Sequence, residues 1–226
     1  MSGQKGYLRY FPKEHCYPNQ QDAMEKIYSA LLRKEIILFE GACGTGKTLS
    51  SLAPALNVGK QLQKTVIIAT NVHQQMVQFI NEAREIKQGN DVKVAVVKGK
   101  AAMCPHEVDY EECRIKRDNT FELIELEKEL DLKKKELKSA SENYKRSKDP
   151  ALIALRDALF NEIEAGEQKA RGIRERACND LYEVLRFESE VFRQWLFADV
   201  RTPEEINEYA TKRGMCGYEL LKRELK

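Results

Sequence analysis

Up to about residue 100 the apolar positions change period repeatedly. Ala23, Met24, Ile27 and Leu31 recur at helical spacing within residues 20–34 and predict an amphipathic helix. The run E-I-I-L-F-E at residues 35–40 is short and apolar, as a buried strand is, and T-L-S-S-L-A-P-A-L from Thr48 onward reads as a helix. T-V-I-I-A at residues 65–69 predicts a second strand, residues 72–86 a further helix, and V-K-V-A-V-V at residues 92–97 a third strand. Strands separated by helices imply an α/β fold with a parallel sheet covered on both faces, whose ligand sits at the strands' carboxyl ends.

Between residues 119 and 178 the texture turns charged and helical, with no glycine before Gly166. Leu123, Leu126, Leu130, Leu137, Ala140 and Tyr144 step by three and four, and Lys133 fills one seam position. Ser147-Lys148-Asp149-Pro150 interrupts the stripe, since proline cannot continue a helix interior. A second helical run follows, with Leu152, Leu155, Leu159, Ile163, Ala170, Ile173 and Ala177 at apolar positions. Two helices joined by a short turn make an antiparallel hairpin, here read as an insertion. The alternative is a long surface helix pair capping the core.

Chemistry enters at Gly41-Ala42-Cys43-Gly44-Thr45-Gly46-Lys47-Thr48, which fits the phosphate-binding loop pattern G-x-x-x-x-G-K-[ST]. Between a strand and a helix, such a loop aims several backbone N–H groups at one point, where the helix dipole also favours negative charge. Lys47 is then placed to reach the outer phosphates and Thr48 to ligate Mg²⁺. An ordinary glycine-rich turn would not need all eight positions to match.

Composition narrows the field. The 226 residues suffice for one or two domains. A net charge of +2, from 38 basic and 36 acidic residues, gives no global basic field. Nothing approaches a membrane span or a signal-peptide core, so the expected location is intracellular, cytoplasmic or nucleoid-associated, without a membrane partner. Six cysteines in a reducing compartment suggest metal, cluster or packing roles rather than disulfides. The hairpin bears on them directly. Arms of about equal length return the chain to its start, so Cys113 and Cys178 are expected together at its base, with arms projecting roughly 40 Å. Cys104 lies nine residues before Cys113, and Cys216 follows a stretch that can fold back. Four thiolates suit tetrahedral zinc or an iron–sulfur cluster; separate buried thiols are the remaining alternative.

The order Cys16-Tyr17-Pro18-Asn19-Gln20, the phosphate loop, Thr70-Asn71-Val72-His73-Gln74-Gln75, Lys98-Gly99-Lys100-Ala101-Ala102-Met103-Cys104-Pro105-His106 and Gly214-Met215-Cys216-Gly217-Tyr218 resembles the N-terminal part of the XPD/DinG family. These are superfamily 2 DNA helicases with a four-cysteine [4Fe–4S] domain inserted into the first motor domain, and the likeness is greatest to archaeal members. The resemblance implies a RecA-like motor fragment over residues 1–100, a mainly helical iron–sulfur domain over 101–218, and a return toward the motor over 219–226. It implies ATP, Mg²⁺ and a [4Fe–4S] cluster as cofactors, the cluster held by Cys104, Cys113, Cys178 and Cys216. Gln20 would read adenine, with Tyr17 and Phe11 nearby, and residues 41–48 would hold the phosphates. Thr70, Gln74, Lys98 and Lys100 would contact DNA. Implied partners are single-stranded DNA, duplex junctions, a second motor domain and repair proteins, with translocation from 5′ to 3′.

The sequence departs from that pattern in places. The phosphate loop has Ala42-Cys43 where a proline and a hydroxyl residue are usual, and the long hairpin between the middle cysteines is unusual. A D-E-A-H box is absent from the 226 residues, so the expectation for this stretch alone is nucleotide binding without turnover. A zinc-bound adaptor with vestigial nucleotide binding is the competing reading; a chromosome-organising coiled-coil ATPase would need far longer arms. Trp195 suits base stacking or, with Phe192 and Leu196, packing of one apolar helix face.

Overall fold

A computed structural model describes residues 6–42, 44–106 and 108–225. Two short 3₁₀ turns, Gly6–Tyr10 and Lys100–Met103, accompany the helices α1 (Gln20–Leu32), α2 (Lys47–Leu62), α3 (His73–Gln88), α4 (Tyr110–Ser147), α5 (Ala151–Arg174), α6 (Asn179–Arg186), α7 (Glu190–Ala198), α8 (Pro203–Thr211) and α9 (Gly217–Glu224). The chain forms two compact units. One runs up to Val96 and takes back residues 194–202; the other holds residues 97–193 and 203–225.

The first unit corrects the expectation of a parallel sheet, and with it of a RecA-like α/β motor. Among the described residues there is no strand: residues 35–40, 65–69 and 92–97 carry no ladder. Ile36 and Leu38 are fully exposed and Ile67 nearly so. The physical reason is the range of the bonds. A helix closes its hydrogen bonds within four residues, whereas a parallel strand depends on partners a crossover away. An apolar run therefore marks a segment able to pair without ensuring that it does. What holds this unit is helical: Tyr7, Tyr10, Met24, Leu49, Leu52, Ala53 and Ile86 form one buried cluster under α1, α2 and α3. The Tyr7 hydroxyl, buried beside Glu25, donates to its carboxylate at 2.7 Å, and burial holds its pKa well above the usual phenol range. Arg84 and Lys87 of α3 donate to the Val200 and Phe197 carbonyls, which ties the returning segment to this unit. There Trp195 lies half-buried, its ring 4.6 Å from the Arg201 guanidinium, while Leu196 is wholly buried.

The second unit is built on the hairpin. α4 and α5 run antiparallel across a turn at residues 148–150, where Lys148 takes a left-handed conformation (φ 57°). Asp149 Oδ1 accepts from the Ala151 amide at 2.9 Å and opens the returning helix. Leu123, Leu130, Ala140, Leu159, Ile163 and Ile173 are buried along the seam, whereas Leu155 is about half exposed. Lys133 interrupts the stripe, and its ammonium reaches the Glu162 carboxylate of the opposite arm at 2.9 Å. Lys134–Glu167 and Lys169–Glu122 bridge the arms likewise. These pairs are exposed, so they set register more than stability.

At Gly166 the arms come close: a Cβ there would stand 2.5 Å from Leu130 Cδ2. Glycine inside a helix costs roughly 1 kcal/mol against alanine, and here it admits the opposing leucine. Gly166→Leu is expected to overpack the seam and destabilise this unit by about 1–3 kcal/mol in chemical denaturation. Leu130→Ala in the same chain should recover part of that loss, and strictly additive effects would show that the two positions do not meet.

Candidate functional site

The phosphate-loop residues lie between the segment ending at Glu40 and the start of α2, as their order dictates; Cys43 falls outside the described residues. Gly44 and Gly46 have φ of 78° and 73°, a region open to glycine and strained for other residues. Gly46 is the N-cap of α2, so Lys47 and Thr48 occupy its first two positions, with free N–H groups at that end. Lys47 Nζ donates to the Gly41 and Ala42 carbonyls at 2.6 and 2.7 Å, and Thr45 Oγ1 donates to the Ala42 carbonyl at 2.8 Å. A Cβ at Gly41 would meet the Lys47 and Thr45 side chains at 3.1 Å. A lysine ammonium, a hydroxyl and a helix N-terminus around one glycine-lined turn suit a triphosphate with Mg²⁺.

Gln20 is buried at the N-terminus of α1, and both ends of its amide are engaged. Its Oε1 accepts from the Tyr17 amide at 2.9 Å, and its Nε2 donates to the Gly46 carbonyl at 3.1 Å. Ser50 Oγ donates to the same carbonyl at 2.9 Å. The structure thus places Gln20 against the phosphate loop itself, with Tyr17 exposed alongside and Phe11 packed on the core beneath. Thr70 and Gln74 are exposed, Gln74 in the first turn of α3.

The cysteines lie at element ends in the second unit. Cys104 closes the 3₁₀ turn Lys100–Met103, Cys113 sits in the first turn of α4, and Cys178 and Cys216 are the N-caps of α6 and α9. Wholly buried Thr120 clamps the hairpin base: its hydroxyl donates to the Lys116 carbonyl at 2.8 Å and accepts from the Cys178 amide at 2.9 Å. The Cys216 amide donates to the Asp180 carbonyl at 3.2 Å, and Asp180 pairs with His106 at 2.7 Å, two residues beyond Cys104. Gly217 lets α9 meet α8 closely, since a Cβ there would run into Asn207 Oδ1.

Burial pushes the Cys178 thiol up, and the neighbouring Cys113 adds to the shift. Burial raises Cys216 to about 11, with Cys178 contributing. Helix-end amides oppose both shifts, from Leu181 and Asp180 at Cys178 and from Glu219 at Cys216. Cys178 therefore neighbours both Cys113 and Cys216. Among the described residues, however, no group of three or more His, Cys, Asp or Glu is arranged to hold a metal ion. The four thiols suit thiolate ligation in kind, and of their mutual contacts the structure shows Cys178 with Cys113 and with Cys216.

The two lysines expected on DNA face their own unit. Lys98 pairs with Glu204. Lys100 Nζ lies 2.7 Å from the Glu219 carboxylate, beside Cys113 and over the Tyr218 ring. Sequence reasoning missed Glu219 and Asp180 as partners of Lys100 and His106. Separations of 119 and 74 residues leave no local pattern to find them.

A methyl group at Gly46 would run into Gln20 Nε2 as well as straining the left-handed backbone. Gly46→Ala should lower the melting temperature by the equivalent of about 1–2 kcal/mol or more. Adding Gln20→Ala should return the part due to the collision but not the backbone part, and no recovery at all would contradict the contact.

Comparison with curated proteins and comparison with solved structures each find no match. Comparison with protein families finds one, described as the type III restriction enzyme, res subunit, over residues 13–172. That match takes in α1, the phosphate loop and nearly all of the hairpin, well over half the chain. It brings with it the use of ATP and Mg²⁺, which the glycine-lined turn, Lys47 and Thr48 fit. The chain belongs to the family of the type III restriction enzyme res subunit, helicase-like ATP-dependent enzymes of nucleic acid.

Proposed function

We propose that this chain is the nucleotide-binding part of an ATP-dependent DNA helicase of the XPD/DinG type, with a four-cysteine iron–sulfur site at the base of its hairpin. The observation that carries the reading is the phosphate loop, whose glycines, ammonium and helix N-terminus converge on one turn in a chain of helicase-like family. Lys47 would supply the ammonium to phosphate oxygens in place of its two carbonyl partners, and the Thr48 hydroxyl would be a ligand for Mg²⁺. Gln20 and Tyr17 then lie on the side where the base belongs, and holding Gly46 links the base side to the phosphate side.

The iron–sulfur part of the proposal is supported by the placement of the cysteines. Cys104, Cys113, Cys178 and Cys216 sit at the ends of four elements tied together by Thr120, Asp180 and Lys100. Helix N-termini behind Cys178 and Cys216 favour negative charge on thiolate sulfur. A bound cluster supplies one-electron chemistry and cross-links four separate segments. In the proposed enzyme Thr70 and Gln74 touch the strand backbone, Lys98 and Lys100 line the approach to the thiols, translocation runs 5′ to 3′ with a second motor domain, and the setting is DNA repair inside the cell. Residues 1–100 act as the motor side, residues 101–218 as the inserted domain, and residues 219–226 lead back.

Two measurements test this. Lys47→Ala should weaken binding of a fluorescent ATP analogue about 10- to 100-fold, as loss of a charge-assisted bond does, while leaving the melting curve in place; unchanged binding would refute the nucleotide site. Protein purified without oxygen should carry about four irons per chain. Cys104→Ser or Cys216→Ser should lose them, whereas Cys16→Ser should not. Stoichiometric zinc, or neither metal, would overturn the iron–sulfur reading and leave the nucleotide site standing.

A further inference from the structure

The hairpin base carries a second feature, away from the thiols. A groove of about 580 Å³ runs between α4, α5 and α6. At its end Tyr182 is buried beside two arginines: the Arg174 and Arg186 guanidinium groups lie 5.1 and 5.3 Å from its ring centre. The Tyr182 hydroxyl donates to Glu127 Oε2 at 2.6 Å and accepts from Arg186 Nη1 at 2.7 Å, and Glu127 also pairs with Arg174. A solvated charged face does not order its arginines in this way. Held against a fixed ring, each guanidinium loses little further freedom on meeting an anion.

The charge balance of the groove points the same way. Five basic and three acidic side chains line it. Glu127 is taken up by Arg174 and Glu167 by Lys134. Among the described residues Lys128, Arg171 and Arg186 are in no ion pair, Arg171 lies near the Glu167 carboxylate, and the remaining carboxylate, Asp131, lies near Lys134. Beside the Tyr182 ring the apolar lining is Ile124, Leu130 and Ala170, of which Leu130 is buried in the seam. An excess of basic over acidic side chains along one groove suits a partner recognised by repeating phosphates.

We propose that the groove lined by Lys128, Arg171 and Arg186 binds the phosphodiester backbone of a nucleic-acid strand, with Tyr182 as the positioning residue that presents Arg186. The inference rests on the nucleic-acid part of the functional reading and uses neither the nucleotide loop nor the thiols. Binding is independent of sequence and needs no nucleotide.

The test is fluorescence anisotropy of the full chain with a labelled oligothymidylate and with a labelled duplex, without ATP, over a range of salt. Lys128→Gln combined with Arg171→Gln should weaken single-strand binding about tenfold or more at low salt, and should reduce the slope of log affinity against log salt by about 1.4, two phosphate contacts at about 0.7 each. Tyr182→Phe keeps the ring and frees Arg186, so it should lose affinity while the double variant's melting curve stays as in the parent. Lys138→Gln with Lys145→Gln, farther out on α4, should change neither affinity nor slope. Parent-like binding by the groove variants, equal loss from the outer pair, or no binding of either probe by the parent chain would each overturn the proposal. A chain that still binds the ATP analogue while failing this test separates the groove's failure from that of the nucleotide site.

Discussion

The contact between the Thr120 hydroxyl and the Cys178 amide closes a loop of nearly sixty residues, and the second unit is organised around that closure. A wholly buried hydroxyl that both accepts and donates leaves no orphaned group at the point where α5 hands over to α6. Because α4 and α5 hold register from Gly166 and Leu130 down to Glu127 and Arg174, the chain leaves and re-enters the unit at one place. Everything assigned to this unit depends on that return. Cys113 and Cys178 become neighbours, α6 starts beside α4, and Tyr182 reaches Glu127 across the groove.

The same economy is visible where the unit closes on α9. Gly217 admits α8, Cys216 hangs its amide on Asp180, and Glu219 holds Lys100 beside Cys113. Lys100 counters two negative groups at once, a carboxylate and any thiolate that forms next to it. In the first unit the corresponding hub is the Gly46 carbonyl, which accepts from both Gln20 and Ser50 and so fixes the phosphate loop to α1 and α2 together.

The hairpin was legible from the chain because its signals are local. Leucines at three and four spacing, a proline after an Asp at the turn, and arms of similar length mark two helices and their reversal; α4 begins at Tyr110, ahead of the predicted start at residue 119, and α5 ends at Arg174, short of the predicted end at residue 178. The phosphate loop was legible for a related reason, since its glycines are demanded by backbone angles set within the loop. The sheet was not. Its three candidate segments have the composition of strands, but strand pairing is a contact between distant segments, and among the described residues residues 35–40, 65–69 and 92–97 do not pair.

What the sequence determined by itself is therefore a set of short-range commitments: that helices follow residues 20, 47 and 72, where the hairpin turns, which residues carry the phosphate-loop pattern, and that Cys113 and Cys178 meet at the hairpin's foot. The tertiary structure alone decided the partners. Lys98 and Lys100 meet Glu204 and Glu219, His106 meets Asp180, Gln20 meets Gly46, and Arg186 meets the Tyr182 ring. Most of these pairs join residues tens of positions apart, and Arg186 with Tyr182 gains its meaning only from Glu127 on another helix. Charge and hydrogen-bond matching across such separations has no period along the chain, because it is fixed by how helices pack and not by how each one forms.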